Sequence, residues 1–274
     1  MPLLIQNRRI ERPGSTVDLF ARYPHLQENA RVFRSKTIVD VDPKCLLYVQ
    51  QREFAATTPA DNSVAVLGSD DATTCHLVLV RHTGSGAACL AHCDGSSTWS
   101  EVPLIVKAVT SLSKDPAKEG RLFLLFPLAE MNDSLVDGAH RPVVYGIGIN
   151  MKTGEVFPAS FPYKGPAEEL RSARTFTGGQ MADIYDSSKG EVKIGPCKWS
   201  PNLDISFWLS QDDDTILKYL STSPMAEPPH FVQHIKSTIQ FLLEHPSSDS
   251  VFPGGQPQQY RRTEQGDWEN VNQT

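Results

Sequence analysis

The stretch between Cys75 and His92 constrains the fold of this chain more than any other. Two apolar runs, HLVLV at 76–80 and AACLA at 87–91, flank the turn-rich sequence HTGSG. Apolar runs joined by a short turn containing glycine predict an antiparallel hairpin. Both faces of its two strands are apolar, so the hairpin is predicted to lie centrally in a sheet rather than at the edge.

The register of this hairpin decides which side chains meet. If His82–Ser85 forms the loop and Arg81 lies opposite Gly86, the pairing continues outward until Cys75 lies directly opposite His92. Opposed Cβ atoms are about 4.5–5.5 Å apart, which allows a hydrogen bond between the thiol and the imidazole. A shift by one residue would turn His92 to the other face, so the prediction depends on the loop length.

A thiol beside an imidazole has two interpretations. On spacing alone, such a pair is more often a structural pair in the core, where the two side chains satisfy each other's hydrogen bonds. Alternatively, the imidazole takes the thiol proton and lowers the thiol pKa, which makes the sulfur a nucleophile. Ser69 and Thr73 or Thr74 lie close by in the sequence and could orient His92. The backbone N–H groups of the polar turn Gly68–Thr74 could stabilise an oxyanion. Both interpretations stay open at this point.

Elsewhere, short apolar stretches between turn residues accompany a few amphipathic helices. This pattern predicts an α+β fold with mostly antiparallel sheets and flanking helices, with residues 1–246 as one domain and 247–274 as a loose polar tail. Alternating glycines at Gly146 and Gly148 predict a bare strand face against which something packs closely. The predicted strands are Cys45–Gln50, Ser63–Leu67, Arg121–Phe126 and Val143–Ile149, with a hairpin at Ile184–Ile194; the predicted helices are Asp18–Arg31, Val102–Leu112, Glu168–Phe176 and a C-terminal helix through Val232, Ile235, Ile239 and Leu242 that ends before Pro246.

Composition excludes several classes of function. The net charge of -6 and the pI of about 5.8 argue against a nucleic-acid-binding protein. We find no secretory signal and no apolar stretch long enough to span a membrane. The five cysteines are odd in number and lack a zinc-binding pattern, because Cys89 and Cys93 have no second ligand pair. We therefore expect a soluble intracellular protein without disulfides or metal.

Five stretches of the chain match a known family: Leu46–Ala55, Leu67–His76, His92–Gly95, Ala159–Gly179 and Ser221–Thr238. They resemble the protein N-terminal asparagine amidohydrolases of animals and plants. The resemblance implies that Cys75 is the nucleophile, and that the fold is similar to the catalytic fold of chemotaxis-receptor glutamine deamidases and cytotoxic necrotizing factors. The chemotaxis-receptor deamidases use a polar residue six positions before the cysteine and a histidine seventeen positions after it, which correspond here to Ser69 and His92.

The resemblance also implies a reaction. Family members convert N-terminal asparagine of proteins to aspartate by attack of a thiolate on the side-chain amide, with no metal or organic cofactor. The product feeds arginylation and the N-degron route of ubiquitin-dependent degradation, which implies a cytoplasmic or nuclear location. The expected partners are protein or peptide substrates with N-terminal asparagine, and we expect a monomer that binds neither nucleic acid nor membrane.

Such a substrate requires a group that binds the free α-amino group. Glu227 is the first candidate, since it is a lone carboxylate in a proline-rich loop of a matching stretch. It could equally be an acidic residue before a helix, where it favours the helix dipole. Asp70 is the second candidate, and its alternative role is a turn residue that bonds its own backbone. His76, His230 and His234 are predicted to be structural or surface residues.

The middle of the chain departs from the family. Family members carry a further strand, a long helix and another strand where Gly120–Asp133 of this chain passes directly onward, so a strand–helix unit is missing. Three hypotheses therefore remain: an active N-terminal asparagine amidohydrolase, a deamidase of internal glutamine or asparagine, and an inactive shortened form that acts only as a binding protein.

Overall fold

The computed structural model describes residues 4–6, 8–11, 13–113, 120, 122–125, 131–200 and 203–273. The fold is α+β, and most strand pairs are antiparallel, as predicted. The strands are β1 (Leu4–Ile5), β2 (Arg8–Arg9), β3 (Val39–Asp40), β4 (Leu46–Tyr48), β5 (Glu53–Thr57), β6 (Val66–Ser69), β7 (His76–His82), β8 (Ala88–Cys93), β9 (Leu122–Leu125), β10 (Asp133–Val136), β11 (Ala139–Pro142), β12 (Ile147–Asn150), β13 (Val156–Ser160), β14 (Ala182–Asp183), β15 (Tyr185–Asp186), β16 (Glu191–Ile194), β17 (Gln258–Arg262) and β18 (Trp268–Asn270).

Six α-helices and several short 3-10 helices accompany these strands in the described residues. No helix in this part of the chain is long and apolar enough to cross a membrane. The α-helices are α1 (Thr16–Arg22), α2 (Pro24–Arg34), α3 (Thr98–Leu112), α4 (Glu168–Phe176), α5 (Asp213–Leu220) and α6 (Phe231–Glu244), and the 3-10 helices are Pro43–Cys45, Leu203–Ser210, Ser248–Ser250, Pro253–Gly255 and Val271–Gln273.

Two five-stranded sheets form the centre of the fold. The first sheet has the order β3-β13-β12-β6-β4, and the second has the order β14-β5-β8-β7-β9. Their facing sides share one core, to which the first sheet contributes Leu47, Leu67 and Ile149 and the second Leu79 and Leu90. The outer face of the second sheet packs against α3, as the apolar character of both hairpin faces predicts.

The predicted hairpin is present in the interior of the second sheet, but its register differs by two residues. Leu77, not Cys75, lies opposite His92. The loop is shifted because His82 N–H donates to the Ala87 carbonyl oxygen, and Gly86, in a left-handed conformation, closes the turn. A shift of two keeps every side chain on its predicted face, since side chains alternate with a period of two.

Two other predictions were wrong. The predicted helix Asp18–Arg31 is divided into α1 and α2, because Pro24 has no N–H and disfavours a helical conformation at Tyr23. The predicted loose tail contains β17 and β18, which continue the sheet of β15 and β16. This tail is held because the Arg262 guanidinium lies 4.1 Å above the Trp268 ring and donates to carbonyl oxygens of residues 43–46.

The predicted close packing at the alternating glycines is confirmed. A Cβ atom on Gly146 would lie 2.3 Å from the Cβ of Asp70 and 2.7 Å from the carbonyl oxygen of Ala159. A Cβ atom on Gly148 would lie 2.8 Å from the ring of Phe157. The strand is therefore bare on this side because neighbouring backbone and a ring occupy the space.

We expect Gly146→Ala to lower the free energy of unfolding by roughly 1–3 kcal/mol, because the added methyl group would force backbone movement in a closely packed region. Gly195→Ala is the matched control, since no atom lies within 4 Å of the Cβ position there. Urea unfolding followed by circular dichroism measures both variants. Equal stability of the two would contradict the close packing.

A buried charge cluster joins distant parts of the chain. Glu53 begins β5, and its Oε2 accepts a hydrogen bond of 2.6 Å from Nη2 of Arg171 on α4, with both side chains almost fully buried. Arg174 lies 3.6 Å from the other carboxylate oxygen. Burial opposes the charge of Glu53, but the two guanidinium groups outweigh burial and hold its pKa below the ordinary value.

We expect Arg171→Met to lower the free energy of unfolding by about 3–5 kcal/mol, since it leaves a buried carboxylate with a poorer partner. Arg31→Met, which breaks an exposed pair with Glu28, should have a much smaller effect on the free energy of unfolding, because solvent screens an exposed ion pair. Chemical denaturation of both variants tests this difference. A small loss in Arg171→Met would mean that Arg174 alone can hold Glu53.

Candidate active site

Cys75 follows a polar turn and immediately precedes β7, where it is half-buried. The turn contacts the loop 221–227 through two pairs of hydroxyl groups. Those of Thr73 and Ser223 lie 2.8 Å apart, and those of Thr74 and Thr222 lie 3.3 Å apart. The thiol therefore lies where the start of β7, the end of β8 and this loop meet.

His92 is on the same face of the hairpin as Cys75, diagonally across the two strands. Its Nδ1 lies 2.8 Å from Oγ of Ser69, which belongs to the first sheet. The same hydroxyl donates to the carbonyl oxygen of Val49 at 2.7 Å. A hydroxyl has one proton, so Ser69 must accept a hydrogen bond from Nδ1–H. This tautomer leaves the lone pair on Nε2, the nitrogen a base would use.

The protonation of His92 is controlled by burial. Only 3% of the residue is exposed. Burial lowers the pKa of His92 to about 4, and the nearby carboxylate of Asp71 opposes this only in part. At neutral pH the imidazole is therefore uncharged and able to accept a proton.

The Cys75 thiol is protonated in the protein without substrate. Burial is the largest cause that raises the pKa of Cys75 to about 12, followed by the carboxylates of Asp94 and Glu227. The guanidinium of Arg52 acts in the opposite direction. No hydrogen bond joins the thiol to His92 among the described residues, because the shifted register places them diagonally, about 7–8 Å apart by strand geometry.

Backbone donors are available beside the thiol. The N–H of Ala72 is used by the carbonyl oxygen of Tyr145, at 3.1 Å. Those of Thr74 and Cys75 make no hydrogen bond within the described part of the chain. Unused N–H groups next to a nucleophile can stabilise a developing oxyanion.

Glu227 has one occupied and one available carboxylate oxygen. Its Oε1 accepts hydrogen bonds from the hydroxyl groups of Ser221 and Ser223. Its Oε2 has no hydrogen-bond partner among the residues that the structure describes. Burial raises the pKa of Glu227, although the two serine hydroxyls oppose this. The available oxygen lies in the loop that contacts the Cys75 turn.

Asp70 is placed differently. Its Oδ1 accepts from the hydroxyl of Tyr48 at 2.6 Å and from Nζ of Lys164 at 3.1 Å, and its Oδ2 accepts from the N–H of Phe161. Lys164 also binds Asp71, whose other partner is Nε2 of His230 at 2.9 Å. Asp70 therefore anchors the turn in the interior instead of facing solvent as a free carboxylate.

The remaining histidines have protein partners. Nδ1 of His76 lies 2.8 Å from the hydroxyl of Thr98, and His234 contacts Ser172 and Glu168. Those contacts, like the His230 contact to Asp71, agree with the predicted structural role.

Sequence reasoning missed three charged residues near Cys75. Arg52 forms a 2.8 Å ion pair with Asp94, and Glu101 of α3 is buried, with 9% of the residue exposed. Arg52 and Asp94 lie in stretches used for the family resemblance, which was the only sequence signal for them. Glu101 lies in a helix that gave no functional signal.

The groups that meet here are those that acyl transfer by a thiol requires. They are a thiol, a neutral imidazole held by a hydroxyl in the tautomer that exposes Nε2, backbone donors, and a carboxylate with a free oxygen. Fold and site together thus define an α+β protein in which a half-buried thiol and a buried, neutral imidazole lie on one face of a central hairpin.

A sequence model of the family described as protein N-terminal asparagine amidohydrolase matches residues 36–126 and 122–270. Proteins of that name from Homo sapiens and Sus scrofa are each 45% identical to this chain, and that from Mus musculus is 44% identical. Each match covers 99% of this chain and 98% of the relative. The chain belongs to the protein N-terminal asparagine amidohydrolase family.

The alignments with the mammalian relatives also show that this chain is shorter than they are. Each mammalian match extends over 306 positions, 32 more than the 274 residues here, so at least that many positions lie opposite gaps in this chain. The two family matches meet at residues 122–126, within and just after β9. This agrees with the missing segment that the sequence analysis located there.

We expect the imidazole of His92 to titrate with a midpoint near pH 4 and to carry its proton on Nδ1 at pH 7. Nitrogen-15 NMR of the imidazole groups measures both properties, with the His92→Asn spectrum for assignment. His230 is an internal control, because Asp71 raises its pKa. Ser69→Ala should abolish the tautomer preference, and an ordinary midpoint in the wild type would contradict the assignment.

Proposed function

We propose that this chain hydrolyses the side-chain amide of N-terminal asparagine in proteins and peptides, giving N-terminal aspartate and ammonia. The observation that carries the proposal is the neutral His92 fixed by Ser69 on the face of the Cys75 thiol, in a chain of this family. Its mammalian relatives are named for this activity. Cys75 acts as nucleophile, His92 as base and Ser69 as the residue that orients the base.

The chemistry proceeds in two steps. Sγ of Cys75 loses its proton to Nε2 of His92 and attacks the amide carbon, and the N–H groups of Thr74 and Cys75 bind the oxyanion. The C–N bond then breaks as His92 returns the proton to the leaving ammonia. Water activated by His92 hydrolyses the thioester and restores the thiol.

Glu227, rather than Asp70, binds the α-amino group in this proposal. An ammonium group needs acceptors that it can reach, and Oε2 of Glu227 is available whereas both oxygens of Asp70 are used by Tyr48, Lys164 and Phe161. An N-terminal ammonium group at Glu227 leaves the first side chain free to extend toward Cys75, because the loop 221–227 contacts the Cys75 turn.

The proposal extends to the biological setting and the fold. A protein that makes N-terminal aspartate would supply the N-degron route and act in the cytoplasm or nucleus, as a monomer on protein or peptide substrates. A hairpin bearing the thiol and the imidazole, with a serine from the facing sheet, supports a relationship to the chemotaxis-receptor deamidase and cytotoxic necrotizing factor fold.

We expect the mass of peptides that begin with asparagine to increase by the difference between an amide and an acid. The mass of peptides that begin with glutamine or acetyl-asparagine should remain unchanged. Cys75→Ala should abolish conversion, whereas Cys197→Ala, which alters another half-buried thiol, should not. Mass spectrometry of the peptides is the measurement.

The other outcomes identify the rival hypotheses. Equal conversion of the acetylated peptide would indicate a deamidase of internal residues. Binding without conversion by a folded sample would leave a binding protein. Either result would overturn the proposed reaction.

A further inference from the structure

Charged groups surround Cys75 from four separate elements. Asp94 directly follows β8, Glu101 lies on α3, Glu227 lies in the loop 221–227, and Arg52 lies in the turn between β4 and β5. Three of these groups are carboxylates, and one is a guanidinium. The guanidinium is already paired with Asp94 at 2.8 Å. Arg52 therefore balances one carboxylate and leaves two.

The two remaining carboxylates have oxygens without a nitrogen or oxygen donor among the described residues. Glu101 is buried, and its Oε1 accepts from the hydroxyl of Ser97 at 2.8 Å. Its Oε2 has no nitrogen or oxygen donor in the described residues, and the nearby thiol of Cys93 is a weak donor beside this carboxylate. Glu227 likewise has Oε1 occupied by two serines and Oε2 available. A buried acceptor without a strong donor is costly, so the oxygen of Glu101 indicates that the surroundings of Cys75 lack a strong donor or a positive charge when no substrate is bound.

The neighbouring groups on β7 and β8, which are His76, His92 and Cys93, add no positive charge at neutral pH. His92 is neutral because it is buried, and burial also lowers the pKa of His76. Burial and the nearby Glu101 raise the pKa of Cys93, so that thiol is uncharged. The free protein therefore holds Cys75 in a field that opposes a thiolate, in agreement with its raised pKa.

We propose that the α-ammonium group of the substrate supplies the missing positive charge beside Cys75, so that Sγ transfers its proton to Nε2 of His92 only when a free N-terminus is bound at Glu227. This inference rests on the proposed function, since it takes Glu227 as the site of the ammonium group. The proton leaves sulfur and arrives on Nε2, and the bound ammonium group offsets the carboxylate that opposed the transfer.

A consequence is that the free N-terminus of the substrate affects the rate of the chemical step as well as the affinity of binding. An acetylated N-terminus carries no charge, so a substrate that has one would leave the thiol protonated even when it occupies the site. The same arrangement keeps the nucleophile unreactive toward other electrophiles when no substrate is bound, because the thiolate is the reactive form.

The rate at which iodoacetamide alkylates Cys75 tests the proposal, since only the thiolate reacts. Mass spectrometry of the proteolytic peptide that contains Cys75 separates it from the other four thiols. The probe is triglycine, whose first residue has no side chain to cover the sulfur, and acetyl-triglycine is its control. At pH 7.5 we expect saturating triglycine to raise the alkylation rate about tenfold, which corresponds to about one pKa unit, and acetyl-triglycine to leave it unchanged.

The variant Glu227→Gln provides a second test in the same alkylation experiment. Removal of this carboxylate should raise the alkylation rate of the protein without peptide about tenfold, abolish the response to triglycine, and at the same time slow conversion of an asparagine peptide. A purely structural role would not move these two rates in opposite directions. Glu269→Gln, which alters an exposed carboxylate on β18, should behave as the wild type.

Two results would overturn the inference: an alkylation rate that Glu227→Gln leaves unchanged in a folded sample, or equal effects of triglycine and acetyl-triglycine on the wild type. The wild-type arm needs no variant, so misfolding of Glu227→Gln would not prevent a decision. Alkylation also requires no turnover. A response to triglycine without conversion of asparagine peptides would therefore reject the proposed reaction and leave the coupling of charges intact.

Discussion

The carboxylate of Glu53, buried against Arg171 and Arg174, holds together the parts of the chain that build the candidate site. Arg171 also donates to the carbonyl oxygens of Tyr48 and Lys164, at 2.6 and 3.0 Å. Two segments far apart in the sequence, residues 48–53 and residues 164–174, thus converge on one buried charge cluster. Because each charge is removed from water, loss of either partner would expose the other to the full cost of burial.

This cluster lies next to His92. Glu53 pairs with His92 across the ladder between β5 and β8, and the N–H of Arg52 donates to the carbonyl oxygen of His92 at 2.8 Å. Val49, the residue whose carbonyl fixes the hydroxyl of Ser69, belongs to the same turn. The turn 49–53 therefore sets the positions of the imidazole, its orienting hydroxyl and the Arg52 guanidinium at once. A small movement of Arg171 would therefore shift the His92 imidazole, the Ser69 hydroxyl and the Arg52 guanidinium together.

Local patterns in the sequence were sufficient for the hairpin, for α4 and for the faces of β7 and β8. The register was wrong by two residues because the hydrogen bonds of a tight loop depend on the backbone of Gly86, which apolar periodicity does not report. The even shift preserved the shared face of Cys75 and His92. Their predicted direct opposition was the part that failed.

Contacts between sheets could not be derived in the same way. Ser69 and His92 belong to different sheets, and Glu53 and Arg171 are separated by 118 positions. No strand pattern specifies which residues of two facing sheets meet, since that depends on how the sheets pack. Proximity in the sequence suggested Ser69 along with Thr73 and Thr74, and only the resemblance to a family selected Ser69 among them. Arg52, Asp94 and Glu101 received no role from the sequence because their importance arises from proximity to the thiol.

The shorter middle of the chain can be judged against this arrangement. The two family matches join at β9, which pairs with Leu79–His82, the half of β7 that lies away from Cys75. Among the described strands β9 ends the second sheet, whereas β8 lies between β5 and β7. The charged and hydroxyl groups around the thiol come from the turn 49–53, β6, β8, α3 and the loop 221–227, none of which lies at that junction. The described residues therefore carry the groups that the proposed chemistry needs. The elements that bear these groups contact one another without the participation of β9.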